Sequence, residues 1–173
     1  ALRRIHVVNR YICLQAATSP RQWLEHKVPP PVIGALVGVA MWLVAPFGPA
    51  LALAASTRHV AAAVLIAVAL AFDIAGLLAF RASRTTINPL TPDRASALVT
   101  GGVYRITRNP MYVGLCFILL AWAVHLSAWL PFLGPPIYVL CITRYQILPE
   151  ERVLRRLFGE QYVQYTARVR RWL

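Results

Sequence analysis

The stretch 60-VAAAVLIAVALAFDIAGLLAF-80 decides the fold, because it is about twenty apolar residues long and contains a single charge, Asp73. A helix rises about 1.5 Å per residue, so this length matches the ~30 Å hydrocarbon core of a bilayer. The whole chain agrees, since 58% of its residues are hydrophobic and 14% are charged, against roughly a quarter charged in soluble domains. The sequence therefore predicts an integral membrane protein.

Three more apolar segments flank this stretch, at residues 32–47, 111–130 and 137–148. Prolines and a glycine between the last two segments predict a tight helical hairpin. We therefore expect an all-α membrane protein with about four transmembrane helices. Short C-terminal helices should follow from Glu150, interrupted at Gly159.

The segments divide the chain into three regions. Residues 1–31 are basic, and their apolar side chains at helical spacing favour a short interfacial helix that the prolines at 29–31 would end. No signal-peptide pattern is evident there. Residues 32–80 should contain two transmembrane helices, with Arg58 and His59 as a polar connection between them. Residues 81–173 should form the core that carries the activity.

The positive charge predicts the orientation in the membrane. A net charge of +12 fits a positive-inside topology and anionic lipid headgroups better than nucleic acid, because of the long uncharged segments. Arginines cluster before the first span, between the second and third, and after the fourth. We therefore expect both termini in the cytoplasm. Residues 100–114 and 150–173 should meet there, because they end neighbouring helices.

The remaining residue patterns exclude some classes of site. Cys13, Cys116 and Cys141 are far apart and form no CxxC pair, so neither a disulfide framework nor a zinc site is expected. The sequence does not indicate the oligomeric state.

The first candidate site is 100-TGGVYRITRNPMYVG-114. Asn109 and Pro110 fit an N-cap followed by proline at the first helical position. An ordinary helix start would account for these two residues but not for the glycines and tyrosines gathered around them. A helix N-terminus also suits a carboxylate or phosphate, and two nearby glycines allow close backbone approach. Tyr104 and Tyr112 add flat faces and hydroxyl groups.

The second candidate site is the pair Glu150-Glu151, where the fourth span ends. Acidic residues at a helix start are favourable to its dipole, and Glu151 could pair with Arg155. The functional interpretation is a site for a cationic ligand group. Arg144, inside the fourth span, either reaches towards the surface or clamps an anionic substrate group. Asp73 within the second span is either functional or paired with another helix.

Together, residues 100–114 and 149-PEERVLRRLFGEQYVQYTARVRRWL-173 resemble the isoprenylcysteine carboxyl methyltransferase and phospholipid methyltransferase superfamily. The shared pattern is G-x-Y-R-x-x-R-[HN]-P-x-Y-x-G. A helical hairpin, a Glu-Glu pair, F-G-x-x-Y-x-x-Y and a closing V-x-R follow it. The likeness covers about residues 85–173.

The resemblance implies an integral membrane methyltransferase of bacterial type, in the inner membrane, with S-adenosyl-L-methionine as cofactor. It implies a substrate role for Arg144, and Glu151 is a candidate base for acceptors that must lose a proton. The donor's carboxylate suits the helix start near Pro110, and its ammonium suits Glu150 or Glu151. Cofactor contacts are implied at Leu98, Val99, Tyr104, Asn109, Pro110, Met111, Tyr112 and Glu150.

Several acceptors and functions stay open at this stage. A lipophilic carboxyl group, as in an isoprenylated cysteine, is the first expectation, with a phospholipid amine or a thiol as alternatives. Eukaryotic members place histidine where this chain has Asn109, which weakens the isoprenylcysteine assignment. Two other classes are an NADPH-dependent membrane reductase, which would need more spans, and a non-enzymatic lipid-binding membrane subunit.

Overall fold

The computed structural model describes residues 28–83 and 98–173. The predicted interfacial helix and part of the arginine-rich loop therefore lie outside the described residues. The described part is helical, without a β-strand. Its α-helices are α1 (Pro30–Val44), α2 (Ala55–Ala82), α3 (Pro110–Leu126), α4 (Gly134–Ile142) and α5 (Leu148–Arg168). Shorter 3₁₀ turns are Ala45–Phe47, Gly102–Arg105 and Leu130–Leu133, and a π-helical turn, Thr143–Ile147, joins α4 to α5.

Two of these helices are long and apolar enough to cross a membrane. They are Pro30–Phe47, with 18 residues and mean hydropathy 1.8, and Ala55–Ala82, with 28 residues and mean hydropathy 2.5. The apolar α3 has 17 residues and α4 has 9, so the described residues provide two candidate spans and not the four that we expected. Large apolar side chains of α2 face outward, as expected for a helix in lipid: Val60, Val64, Leu70, Ile74 and Leu78.

The structure corrects three predicted boundaries. Arg58 and His59 form no connection, because they lie in the first turns of α2. The first span begins at Pro30, before the predicted residue 32, because proline is tolerated in a first turn whose N–H groups have no intrahelical partner. The third span ends at Leu126, before the predicted Leu130, because Ser127 adopts a left-handed backbone with φ of 53°.

Helices α2 and α3 pack antiparallel along their length. The rings of Phe72 and Phe117 stack with centroids 6.0 Å apart. Two turns towards the start of α3, Gly76 approaches Pro110 so closely that a Cβ would lie 3.3 Å from the proline ring. Gly114 faces Asp73 in the same interface. Small residues therefore let the two helices approach closely, as is common between membrane helices.

Replacing Gly114 by alanine should disrupt this interface. The new Cβ would collide with the Asp73 carboxylate and lie 3.0 Å from the backbone oxygen of Ala69. We expect a loss of about 2 kcal/mol, which lowers the Tm by roughly 5 °C in detergent. Gly101→Ala is the control, because no atom of residues 28–83 or 98–173 lies within 4 Å of its Cβ position. Equal melting of the two variants would contradict this packing.

The remaining helices form a separate core beside α3. Helices α1, α3 and α4 pack against one another, whereas the main partners of α2 are α3 and the turn Gly102–Arg105. Trp122 on α3 donates to the Gly38 backbone oxygen of α1 at 3.0 Å. Helices α2 and α4 therefore flank α3 without a close interface of their own. The buried core cluster is Met41, Tyr112, Leu119, Ala123, Tyr138, Ile142 and Ile147.

Candidate functional site

The turn Gly102–Arg105 places Tyr104 inside the protein beside the end of α2. Gly102 has a φ of 60°, a conformation that favours glycine. The Tyr104 ring meets Phe80 edge to face, with centroids 5.5 Å apart. From α5, the Tyr165 hydroxyl donates to the Tyr104 backbone oxygen at 2.7 Å. Two helices therefore hold Tyr104 in place.

Glu150, at the start of α5, meets Tyr112 in the first turn of α3. The tyrosine hydroxyl donates to the glutamate Oε2 across 3.4 Å. Burial raises the pKa of Glu150 to about 7, the hydrogen bond from Tyr112 opposes the rise, and the charge of Glu151 adds to it. Burial and then the charge of Glu150 also raise the pKa of Tyr104. Tyr112 and Glu150, from two different helices, are therefore in contact, and the charge of Glu150 acts on Tyr104.

Two arginines bind the carboxylate of Glu151, one just before α3 and one after α5. Arg171 donates to both of its oxygens at 2.8 Å, and Arg108 lies 3.1 Å from Oε1. The hydrogen bonds to Glu151 raise the pKa of Arg171, partly offset by burial. The glutamate side chain is 15% exposed and that of Arg108 is 12% exposed, so this pair is largely shielded from solvent, whereas Arg171 is 34% exposed.

The C-terminal residues fold back over the start of α3. Thr107 and Arg170 form an isolated parallel bridge, and the Arg108 amide donates to the Arg170 oxygen at 3.0 Å. The Asn109 side chain donates to the Arg171 oxygen at 2.9 Å. Asn109 thus occupies the predicted N-cap position but makes no side-chain cap bond. Its amide instead ties the chain terminus to the site.

The other predicted residues lie around this cluster. Val99 is buried, 7% exposed. Pro110 and Met111 pack against Gly76 of α2. Arg144 lies in the π-helical turn, with its guanidinium carbon 5.5 Å from the Tyr145 ring centre. Leu98 lines a polar cavity of about 620 Å³. Other residues of that cavity are Thr100, Arg105, Gln161, Tyr165 and Arg168.

A second cavity, of about 780 Å³, opens between α1, α2 and α3. Its lining is almost entirely apolar, and small residues of α1 form part of the wall. Such a groove within the apolar helices suits a hydrocarbon chain. The lining includes Gly34, Gly38, Trp42, Leu115, Leu119 and Trp122.

Sequence reasoning missed two parts of the site. The first is the C-terminal clasp, in which Arg171 holds Glu151 and the Trp172 indole donates to Thr143 at 3.1 Å. Its only signal was the closing V-x-R of the motif. The second is the π-helical turn Thr143–Ile147, for which the sequence carried no signal.

The fold and site define a helical membrane protein. Its polar cluster, Tyr112, Glu150 and Glu151 with their arginine partners, lies where the start of α3 meets the start of α5. A family model described as phospholipid methyltransferase matches residues 57–161, and the chain belongs to this family. A protein from Haemophilus influenzae, described as uncharacterized, is 46% identical over 63 residues, which are 36% of this chain and the whole of that protein. No solved structure matches the chain.

Proposed function

We propose that the protein is an S-adenosyl-L-methionine-dependent methyltransferase that acts on a lipophilic acceptor in the membrane. The observation that carries the proposal is the hydrogen bond between Tyr112, in the first turn of α3, and Glu150, at the start of α5. Membership of the phospholipid methyltransferase family supports it. A non-enzymatic lipid-binding subunit would have no use for a half-buried carboxylate bonded to a tyrosine at this helix start.

The residues present fit the cofactor. Burial raises the pKa of Glu150 to about 7, as for a carboxylate whose neighbours do not neutralise it, so a ligand ammonium would stabilise its ionised form. Tyr104 and Tyr112 can contact a sulfonium through their ring faces. When bound, the cofactor would supply a methyl group on positively charged sulfur. We assign the remaining contacts to Leu98, Val99, Asn109, Pro110 and Met111.

The protein's part in the reaction is mainly alignment. Methyl transfer is an in-line displacement, so holding nucleophile, methyl carbon and sulfur in one line lowers the barrier. The C-terminal clasp covers the start of α3 and would shield the reacting groups from water. Glu151 is engaged by Arg108 and Arg171, so we propose that it positions the clasp. The expected role of Arg144, binding an anionic part of the acceptor, stays a prediction.

The acceptor is proposed to be a phospholipid headgroup. The family description favours it over the carboxyl group that we first expected from the sequence. The apolar groove between α1, α2 and α3 is wide enough for a hydrocarbon chain. An isoprenylcysteine-like carboxyl group is the second candidate. In keeping with the charge pattern, we place the protein in a bacterial inner membrane, both termini cytoplasmic, with the activity in residues 81–173.

Calorimetry of the detergent-purified protein with S-adenosylhomocysteine tests the function. We expect saturable one-site binding at micromolar ligand, and no heat from NADPH. Transfer of labelled methyl groups to lipid vesicles should follow. Binding of NADPH without S-adenosylhomocysteine would indicate a reductase. The absence of binding to either ligand at millimolar concentration would leave a non-enzymatic subunit.

A further inference from the structure

The polar cavity of about 620 Å³ is lined by two arginines from different parts of the chain. Arg105 ends the turn before α3, and Arg168 is the last residue of α5. Both residues are exposed. Within residues 28–83 and 98–173, neither guanidinium group has a hydrogen bond or an ion pair, and no acidic residue of these ranges lines the cavity. The described structure therefore leaves two positive charges at this cavity without neutralisation.

A neighbouring arginine pair shows how such charges are neutralised elsewhere in the fold. The isolated parallel bridge aligns the residues before α3 with the C-terminal residues. Arg108 and Arg171 each lie one position after this bridge, and together they bind Glu151. Arg105 and Arg168 each lie two positions before it, and they line the cavity instead. One pair thus binds a carboxylate of the chain itself, whereas the other is placed to bind an anion from outside.

We propose that this cavity binds a phosphate group, on a molecule that is neither the methyl donor nor the methyl acceptor. Two guanidinium groups match the several oxygens of a phosphate, which arginine binds through parallel hydrogen bonds. The Gln161 amide and the Thr100 hydroxyl belong to the same lining and can donate further bonds. The volume is within the range of small-molecule sites, so the cavity has room for the glycerol attached to a lipid phosphate.

The surroundings of the cavity favour a membrane lipid as the source of the phosphate. The turn that contains Arg105 packs against the end of α2, a candidate span, through the rings of Tyr104 and Phe80. Arg105 therefore lies at the level where a span ends, and arginines there attract anionic headgroups. The next residue, Ile106, is 61% exposed, and such an apolar side chain suits a segment that contacts the membrane surface. A lipid such as phosphatidylglycerol fits, since its headgroup has no amine to methylate.

A phosphate in the cavity would also stabilise the turn that positions Tyr104. Tyr165 lines the cavity, and its hydroxyl donates to the Tyr104 backbone oxygen at 2.7 Å. By binding both Arg105 and Arg168, the phosphate would connect this turn to α5 at a second point. The consequence for activity rests on the proposed function, in which Tyr104 contacts the donor. We expect the bound lipid to tighten S-adenosylhomocysteine binding about five-fold.

Thermal unfolding in detergent tests the site, with dioctanoyl phosphatidylglycerol as the probe. We expect a saturable rise in the Tm of the wild type. The apparent Kd should be about ten-fold weaker in Arg105→Gln and in Arg168→Gln, because each variant loses charge-assisted bonds to the phosphate. Arg156→Gln is the matched control, since Arg156 is an exposed arginine of α5 outside the cavity lining. Dioctanoylglycerol, with the same chains and no phosphate, should leave the Tm unchanged.

Two results would overturn the cavity site. The first is an equal loss of lipid binding in Arg156→Gln, or a rise in Tm with dioctanoylglycerol, because either would indicate a diffuse effect of charge or of the chains. The second is weaker S-adenosylhomocysteine binding by Arg105→Gln in the absence of lipid, which would place that arginine in the donor site. An unchanged wild-type Tm with both phosphatidylglycerol and sodium phosphate would also reject it.

The remaining outcomes separate the source of the phosphate and the two proposals. Sodium phosphate at constant ionic strength could raise the Tm of the wild type, but not of Arg168→Gln, where the lipid has no effect. That result would support the phosphate site and identify a soluble carrier. Lipid binding without tighter S-adenosylhomocysteine binding overturns only the link to Tyr104. Wild-type protein that binds the lipid but not S-adenosylhomocysteine overturns the proposed function and leaves the phosphate site standing.

Discussion

Glu150→Gln is expected to weaken S-adenosylhomocysteine binding about 100-fold, because it removes the carboxylate assigned to the ligand's ammonium group. Glutamine keeps the size of the side chain and can still accept the hydrogen bond from Tyr112, so the loss would report charge and not packing. Calorimetry measures it directly. Glu160→Gln is the matched control, since Glu160 is an exposed acid on the same helix whose bond to Gln164 is 3.4 Å long.

The pH dependence gives an independent readout of the same residue. Only the ionised carboxylate attracts the ammonium, and the pKa of Glu150 in the free protein is about 7. Affinity should therefore be roughly ten-fold weaker at pH 6 than at pH 8. Because the folded pKa lies above the unfolded value, the folded state binds more protons between about pH 4.5 and 7. Stability without ligand should fall as pH rises through that window. Glu150→Gln should lack both effects, and a flat affinity profile in wild type would refute the assignment.

The meeting of the two motif regions could be predicted, because it depends only on chain topology. A hairpin between α3 and α4 returns the chain to the end of the bundle at which α3 begins. Residues that begin α3 and residues that follow α4 must then be neighbours, and the bond between Tyr112 and Glu150 confirms it. The interruption of α5 at Gly159 was predictable from the residue type. Its φ of 50° and ψ of −123° are backbone angles that glycine adopts readily.

The course of the chain between α4 and α5 could not be predicted from hydropathy. Proline lacks the N–H that continues a helix, so a residue such as Pro149 ordinarily marks a helix start or a break. The structure instead shows a π-helical turn, Thr143–Ile147, directly before α5. Such a turn changes the hydrogen-bond register and brings the proline into a first turn, where its missing N–H costs little. The helix therefore continues through Pro149 and carries Glu150 to Tyr112.

The ion pairs of the site could not be predicted from the sequence either. Glu151 stands among several arginines that are near in sequence, and helical spacing favoured Arg155 as its partner. The structure pairs it with Arg108 and Arg171, which lie 43 and 20 residues away. Which arginines bind Glu151 depends on how the C-terminal residues fold back over the start of α3. Because the chain has a net charge of +12 and many arginines, composition does not indicate which of them these are.

Glu151→Gln is expected to release the C-terminal clasp. Removing one partner of a shielded ion pair costs about 3 kcal/mol, because the remaining charges lose their neutralisation, and here the guanidinium groups of Arg108 and Arg171 would be left facing one another. The Arg108 amide, bonded to the Arg170 oxygen, should then exchange its hydrogen about 100-fold faster. Hydrogen–deuterium exchange in detergent measures this, with Glu160→Gln as the control. If Glu151 were the catalytic base, methyl transfer would be lost while the protection of Arg108 stayed at the wild-type level. That result would restore the chemical role first expected for Glu151 and reject the clasp.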